Sequence, residues 1–341
     1  MERLELRASF ADPALRDGAD RVGLAGVLAG RSHRARRVTL PGTAAVEAFR
    51  WRFSDGFSQT WWPQGIAIGE HLGMPLLITS WFAQPKRGVR KGSRISVVDL
   101  RDRTRPRYRH VLLVSPRRET GRTVWDPVHV HAGGIVWADD RLLVAATFGG
   151  IREFRLSDII RTPSRGLWRR PAGLFGYRYV MPEFATYQQD SDAPGEEMRY
   201  SFVSLEVTDA TDSANDATGV AGELRLVVGE YRKDTLGRLG RLLLTDDRAV
   251  VDEIHNPGIP EMQGAVARNG RWFVSAGRGD KRNGDLWTGT GDRMTRHPGV
   301  LPPGPEDLAL SGARDRIWSV TEFPGKRWIY AIDPREVDNA E

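Results

Sequence analysis

The 341-residue chain contains no cysteine and only five lysines among its 50 basic residues. The missing thiols exclude disulfides, thiolate nucleophiles, cysteine-ligated zinc and iron–sulfur clusters. A disulfide-free protein can occupy either side of a membrane, so the redox compartment stays open. The preference for arginine over lysine is typical of a high-GC bacterial genome.

Long apolar runs are also missing, since no stretch approaches the roughly 18–20 apolar residues that a membrane span needs. The short run 22–29 follows Arg21, but it is glycine-rich and starts too far from Met1 to indicate a secretion signal. We therefore expect a soluble chain without a membrane span, cytoplasmic as given. The alternative is a secreted protein whose signal is absent from this chain.

Helical patterns of 10–15 residues do not separate the apolar runs, which excludes repeated βαβ units. A strand-start phrase recurs instead. It consists of a polar or small residue, then usually a glycine, and then a short apolar run. Its five copies begin at Gln64, Gly133, Tyr200, Gln263 and Glu306. A second and a third apolar run follow each copy, as in the successive strands of a β-propeller blade.

The predicted fold is therefore all-β, a five-bladed β-propeller, with six blades as the alternative. We expect a helical extension over residues 1–35, because Leu15, Val22, Leu24, Val27 and Leu28 recur at helical spacing. Residues 36–341 would form a single propeller domain, with an insertion at about 157–199 that folds as a structural flap or a lid.

Two further strands are expected on the outer side of the ring. An outer strand of the second blade is predicted near residues 177–181, inside the insertion. The C-terminus offers no outer strand for the last blade. We expect an N-terminal strand, 37–40 or 46–51, to complete that blade and close the ring.

The formal charge of +6 raises the question of nucleic-acid binding. Basic residues are dispersed, with local clusters only at 31–37, 101–109 and 165–170, and no nucleic-acid-binding signature accompanies them. We predict a solvated arginine surface and no specific nucleic-acid partner. A cleft concentrates the positive electrostatic field, so an anionic small molecule is a better-matched ligand than a nucleic acid.

In a propeller, the start of each first strand and the end of each second strand lie on the same face. Residues from both sets should therefore converge at one mouth of the central channel and line a concave small-molecule site. The predicted wall and binding residues are Gln64, Trp81, Phe148, Tyr200, Glu230, Tyr231, Gln263, Arg278, Glu322 and Phe323. Arg278 is the expected anion clamp. The alternative is that polar strand-start residues only bind the neighbouring blade and water.

Three residues at this mouth are the predicted catalytic groups: His131, Glu306 and Asp307. His131 would act as general acid or base, because the pKa of imidazole lies nearest neutrality. Glu306 or Asp307 would carry a second proton or bind a metal.

No cofactor is required by the sequence, but two metal alternatives stay open. Ca²⁺ on the channel axis could use the oxygens of Gln64, Gln263, Glu306 and Asp307. Another divalent metal could use His129 and His131, which share a strand face by period-two alternation.

Several phrases resemble a largely uncharacterised group of bacterial β-propeller proteins. They are Pro63–Gly65, Tyr108–Val114, Val130–Ile135, Val228–Tyr231 and Pro305–Leu308, within a resemblance that spans about residues 50–335. The resemblance implies a propeller and brings no established substrate. The chain differs from many members of this group in lacking a convincing signal peptide.

The predicted function is an enzyme of specialised metabolism that acts by general acid–base chemistry on an aromatic or anionic metabolite. A hydrolase, lyase or isomerase without a covalent nucleophile fits these residues. The alternative is a non-catalytic propeller that binds a ligand or a protein partner. The substrate and the oligomeric state stay open.

Overall fold

The computed structural model of the protein describes residues 4–16, 19–86, 88–162, 174–189, 198–207, 223–233, 236–311 and 316–338. Strands dominate these ranges, and their bounds follow in chain order. The first are β1 (Leu4–Phe10), β2 (His33–Arg34), β3 (Arg36–Val38), β4 (Ala45–Arg50), β5 (Trp61–His71), β6 (Met74–Ala83), β7 (Ser93–Asp99), β8 (Arg107–Glu119) and β9 (Arg122–Pro127). Next are β10 (Ile135–Ala138), β11 (Arg141–Ala145), β12 (Ile151–Arg155), β13 (Ile160–Arg161), β14 (Tyr179–Gln189), β15 (Phe202–Leu205), β16 (Leu224–Gly229), β17 (Leu239–Leu244) and β18 (Arg248–His255). The last are β19 (Met262–Arg268), β20 (Arg271–Ala276), β21 (Gly284–Gly289), β22 (Met294–Leu301), β23 (Pro305–Ser311), β24 (Arg316–Thr321) and β25 (Trp328–Ile332).

Helices are short in the described part of the chain. They are α1 (Gly23–Ala29), α2 (Phe53–Gly56) and α3 (Pro334–Asp338), with 3₁₀ turns at Pro13–Arg16 and Leu156–Asp158. None of the helices formed by the described residues is long and apolar enough to cross a membrane.

The strands pair in antiparallel sets of four that follow the chain. One set is β5, β6, β7 and β8. The others are β10, β11, β12 and β14; β15, β16, β17 and β18; β19, β20, β21 and β22; and β23, β24, β25 and β4.

The first strands of these sets form a closed ring, since β5 contacts β10, β10 contacts β15, β15 contacts β19, β19 contacts β23, and β23 contacts β5. The predicted strand-start phrases coincide with these first strands. The all-β prediction is confirmed, and the ring of strand sets gives the arrangement of a β-propeller.

Local sequence explains the hairpins within the sets. Asn269 and Gly270 have φ of 50° and 79° and join β19 to β20. A two-residue turn with positive φ at both positions matches the twist of the flanking strands, and Asn-Gly adopts it at low cost. The middle strand β7 is buried along its whole length, because apolar runs cover both of its faces.

An N-terminal strand completes the last set, as predicted. β4 pairs with β25, with Phe49 opposite Ile329, and β3 pairs with β4. Both candidate segments therefore join the sheet. The ring is closed by strands from opposite ends of the chain.

The N-terminal 35 residues are less helical than the spacing suggested. α1 is the helix of this segment, and Leu24, Val27 and Leu28 bury its apolar face. Upstream, β1 inserts between β14 and β18. Its alternation of Leu4, Leu6 and Ala8 with charged neighbours is the period-two signal that the helical interpretation overlooked.

The insertion at 157–199 contains the predicted outer strand, which runs farther than expected as β14 and pairs with β12. The first part of β14 also pairs in parallel with β8, so this strand joins two neighbouring sets. Residues 163–173 and 190–197, which belong to the predicted flap or lid, lie outside the described residues.

Candidate functional site

A cavity of about 550 Å³ lies where the first strands begin and the second strands end. We call it the channel-mouth cavity. Its lining residues are Gln64, His129, Val130, His131, Gly133, Ala146, Thr147, Phe148, Arg199, Ser201, Tyr231, Gln263, Glu306 and Glu322. Segments about 250 residues apart in the chain, such as those of Gln64 and Glu322, therefore meet at one place.

Seven of the predicted wall, binding and catalytic residues line this cavity: Gln64, His131, Phe148, Tyr231, Gln263, Glu306 and Glu322. Gln64, Gln263 and Glu306 come from first strands, whereas Phe148, Tyr231 and Glu322 follow second strands. The structure therefore brings the two sets together at one mouth.

Asp307 does not line the channel-mouth cavity, although it is adjacent to Glu306. Its side chain is fully buried, and its Oδ2 accepts hydrogen bonds from the backbone N–H groups of Ile66 and Ile135, each at 3.2 Å. Burial raises the pKa of this carboxyl group well above its usual value. Asp307 thus ties β23 to β5 and β10 across the ring.

Trp81 and Tyr200 also lie outside the channel-mouth cavity. Trp81 is buried in the core, where its Nε1 donates a hydrogen bond to Ser96 Oγ at 2.7 Å and the Arg94 guanidinium lies 4.7 Å from its ring. Tyr200 is also buried, and its backbone pairs with that of Thr147. These contacts indicate structural roles for Trp81 and Tyr200.

Glu230 is buried among cations rather than directed at the cavity. Arg232 and Arg238 each donate to its carboxylate at 3.0 Å, and the Arg199 backbone N–H donates at the same distance. Although burial opposes ionisation, these hydrogen bonds prevail and lower the pKa of Glu230 to about 2. Glu230 is therefore a permanent anion that holds the loops around the cavity.

Arg278 and Phe323, the remaining predicted binding residues, lie beside the channel-mouth cavity. Arg278 lines a neighbouring cavity of about 720 Å³ and pairs with Asp285 at 3.3 Å. Tyr231 borders both cavities. Phe323 packs edge-on against Trp62, with ring centroids 6.2 Å apart.

Arg199 is an arginine that lines the channel-mouth cavity, where Arg278 was expected. Its guanidinium lies 4.8 Å from the centre of the Phe148 ring. Thr147 and Ser201 add polar groups that were not foreseen. The sequence signal that could have identified Thr147 and Ser201 was their position next to Phe148 and Tyr200, two predicted site residues.

The carboxyl groups of Glu306 and Glu322 share the channel-mouth cavity. Glu306 is 3% exposed, and burial, together with the nearby carboxyls of Glu322 and Asp307, raises its pKa well above the usual value. Burial also raises the pKa of Glu322 to about 7, although the Arg327 charge and a hydrogen bond from Gln64 Nε2 at 3.5 Å oppose the shift. Burial therefore favours the protonated form of Glu306, while near neutral pH Glu322 is divided between its two forms.

His131 lies at the rim of the channel-mouth cavity. Its ring packs against Phe82, with centroids 4.4 Å apart and an interplanar angle of 31°. His131 is exposed as a residue, but the surrounding protein displaces enough water from its ring to lower its pKa. Desolvation also lowers the pKa of His129. His131 is thus a neutral imidazole at neutral pH, able to donate at one nitrogen and accept at the other.

His129 and His131, the ligands of the second metal alternative, both line the channel-mouth cavity. Among the described residues, no group of three or more His, Asp or Glu side chains is arranged to hold a metal ion. The chemistry that the cavity offers through its own side chains is proton transfer and hydrogen bonding.

No protein-family model and no curated protein matches the chain, which agrees with its resemblance to a largely uncharacterised group. Among solved structures, it is similar to XC5397, a gluconolactonase from Xanthomonas campestris, at 12% identity and a TM-score of 0.37 over 89% of this chain and 98% of that chain. Zg3597, a family 117 glycoside hydrolase from the marine bacterium Zobellia galactanivorans, gives 11% identity and a TM-score of 0.41 over 88% and 90%. The β-propeller domain of Myceliophteria thermophila Cps50 (Swd1) gives 8% and 0.31 over 89% and 99%. None of these activities is carried over to the chain at such low similarity.

Proposed function

We propose that the chain is a five-bladed β-propeller whose channel-mouth cavity binds and converts a small metabolite. The strand sets supply the blades, one for each predicted strand-start phrase. The observation that carries the catalytic part is the pair of carboxyl groups in a cavity of about 550 Å³. Burial raises the pKa of both carboxyl groups, which suits them to exchange protons with a substrate.

Glu322 is the proposed general base. With a pKa of about 7, a substantial fraction of its carboxyl group is ionised at neutral pH and strongly basic for a carboxylate. A base whose pKa matches the working pH combines the correct protonation state with driving force for proton transfer. Glu322 would take a proton from a carbon acid or from an attacking water.

Glu306 is the proposed general acid. Its raised pKa favours the protonated form, which can deliver a proton to a leaving or carbonyl oxygen of the substrate. One proton thus arrives on Glu322 as one leaves Glu306, and exchange with solvent restores the pair. This chemistry fits a hydrolase, lyase or isomerase and needs no covalent nucleophile.

His131, Arg199 and Phe148 are the proposed binding groups around this pair. The neutral imidazole can hydrogen-bond a substrate oxygen and serve as a further proton carrier. The Arg199 guanidinium next to the Phe148 ring presents a cation and an aromatic surface together, which suits an aromatic or anionic metabolite.

The function is tested by a metabolite screen on the purified protein. Ligands that raise the melting temperature are incubated with the protein, and their conversion is followed by NMR. Glu322→Gln and Glu306→Gln should each lower turnover by about 10²–10⁴-fold while changing affinity much less, because only proton transfer is removed.

Glu70→Gln is the matched control, since Glu70 is exposed at the far end of β5, the strand that carries Gln64. This variant should turn over like the parent. Tight binding without conversion by the parent would instead establish a non-catalytic ligand-binding propeller. Full turnover by both cavity variants would remove the carboxyl pair from the mechanism.

A further inference from the structure

A second cavity, of about 850 Å³, has a different composition from the channel-mouth cavity and shares no lining residue with it. We call it the arginine cavity. Its lining residues are Arg34, Ala35, Arg36, Arg37, Arg50, Trp51, Arg52, Phe53, Thr104 and Arg105. Among the described residues of this lining, six are arginines and none is a carboxylate, so these walls carry a high density of positive charge.

Two separate arginine clusters of the sequence meet here. One lies on β2 and β3, and the other in the turn before β8. β4 and the start of α2 add Arg50 and Arg52 between them. Closure of the ring by β4 therefore creates a basic site that neither cluster forms alone.

Strand register places some of these arginines directly against each other. Arg36 is opposite Arg50 in the pairing of β3 with β4, and Arg34 is opposite Arg107 in the pairing of β2 with β8. Residues opposite each other in an antiparallel pair lie on the same face, and like charges there are destabilising. A bound anion would offset this repulsion.

The nearby carboxylates are already committed to other groups. Glu47 accepts from Arg103 at 2.6 Å and from Arg316 at 3.0 Å. Asp55 accepts from Arg94, and Asp99 from Arg101. These carboxylates neutralise other arginines and leave the arginine cavity positive.

Two contacts at its edges do not change this balance. Asp102 accepts hydrogen bonds from the backbone N–H groups of Thr104 and Arg105. Its negative charge offsets positive charge only at that end of the arginine cavity. Arg52 Nη1 lies 3.0 Å from Nδ1 of His33. Burial lowers the pKa of His33, so this partner is a neutral ring that contributes no negative charge.

An exposed aromatic side chain stands at the rim of the arginine cavity. Phe53 is 76% exposed, and its ring centroid lies 4.7 Å from that of Phe57. A planar ring with a free face can stack on an aromatic ligand. Arginine guanidinium groups bind phosphate oxygens in pairs of parallel hydrogen bonds.

We propose that the arginine cavity binds an organic polyphosphate. Its arginines hold the phosphates, and Phe53 stacks on the aromatic ring of the ligand. This site is independent of the proposed chemistry at the channel mouth.

Binding is measured by isothermal titration calorimetry at low salt with two probes, adenosine triphosphate and inorganic tripolyphosphate. The double variant Arg36→Gln/Arg50→Gln should weaken both by about tenfold or more, since hydrogen bonds to charged groups are lost. Phe53→Ala should weaken only adenosine triphosphate. Affinity for both should fall as salt is added, because exposed charges are screened.

The matched control is Arg118→Gln/Arg122→Gln, which removes the same charge from exposed positions on β8 and β9. It should leave both affinities within about twofold of the parent. Equal weakening by the two double variants would reduce binding to diffuse charge and overturn the site. Undetectable binding of tripolyphosphate to the parent would do the same.

A thermal melt of each variant verifies folding. Arg36→Gln/Arg50→Gln should melt at or above the parent temperature without ligand, because a like-charge pair is removed. If that variant does not fold, Arg37→Gln/Arg105→Gln replaces it with the same expected loss of affinity. A single-stranded oligonucleotide that binds far more tightly than either probe would make the surface a nucleic-acid site and overturn the proposal.

Discussion

Glu306 and Asp307 are adjacent acidic residues with different environments. Glu306 faces the channel-mouth cavity, whereas Asp307 is tied to the backbone N–H groups of Ile66 and Ile135. Both residues lie where the pairing of β23 with β24 shifts register, between Pro305 and Leu308, and irregularities of this kind redirect side chains. Two residues that looked equivalent in the sequence thus become a proposed acid and a structural tie.

The raised pKa of Glu322 predicts a pH dependence of stability. Its pKa rises on folding from 4.5 to about 7, so the folded state binds the proton more tightly than the unfolded state. The resulting stabilisation is complete below pH 4.5 and is lost as the pH rises through 7. We expect the loss to be on the order of 2–3 kcal/mol between pH 4.5 and 8.

Urea unfolding of the parent and of Glu322→Gln at several pH values measures this loss. Subtracting the stability of the variant from that of the parent at each pH isolates the contribution of Glu322. The subtraction is needed because His110, whose pKa is lowered to about 4, changes stability with pH in the opposite direction. Parallel curves for parent and variant would show that Glu322 does not titrate in this range.

The strand-start glycines illustrate how the first strands pack. A Cβ added to Gly264 on β19 would lie 2.5 Å from Cα of Asp307 and 2.7 Å from N of Leu308 on β23. A Cβ on Gly65 would lie 2.9 Å from the backbone of Gly134 and Ile135. The recurring glycine therefore allows neighbouring first strands to approach closely, which no larger residue permits without a backbone shift.

Gly264→Ala should destabilise the fold by about 1–3 kcal/mol, the usual cost of overpacking against atoms that cannot move aside. Gly56→Ala in α2 is the matched control, because its nearest neighbour would be the Trp51 carbonyl oxygen at an ordinary 3.7 Å. Thermal or urea unfolding compares the two. Equal stability of both variants would mean that β19 and β23 can separate freely.

Strands from the first 50 residues pair with strands of several different sets. β1 inserts between β14 and β18, β2 pairs with β8, and β4 pairs with β25. One continuous segment thus contacts strands of several different sets. This ties the ring at several places and leaves β25 without a free edge.

Phe49→Ala tests this closure. Phe49 is fully buried on β4, with its ring stacked against Trp318 at 6.2 Å. Removing it should cost about 3–5 kcal/mol, the usual range for a buried Phe. Phe53→Ala, at a residue that is 76% exposed, should change stability by less than about 0.5 kcal/mol.

Calorimetry and circular dichroism should both show one transition that shifts to lower temperature in Phe49→Ala. Separate transitions would indicate that the blades unfold independently of closure.

The local sequence was sufficient to predict the first strands of the sets, the closing strand and several residues around one cavity. Period-two alternation, strand-start glycines and turn residues act within a few neighbouring residues, so they predicted the first strands and the closing strand. They also placed Gln64, His131, Gln263, Glu306 and Glu322 around one cavity. The strand β1 was missed because its alternation is short and lies beside a helical pattern.

Contacts between segments far apart in the chain decided the rest. The Arg199 backbone N–H, 31 residues away in the chain, donates to Glu230, and the Arg199 side chain lines the cavity where Arg278 was expected. The arginine cavity exists because β4 folds back beside β3 and the turn before β8. Burial, pKa shifts and charge density depend on which side chains lie close together, and only tertiary packing determines that proximity.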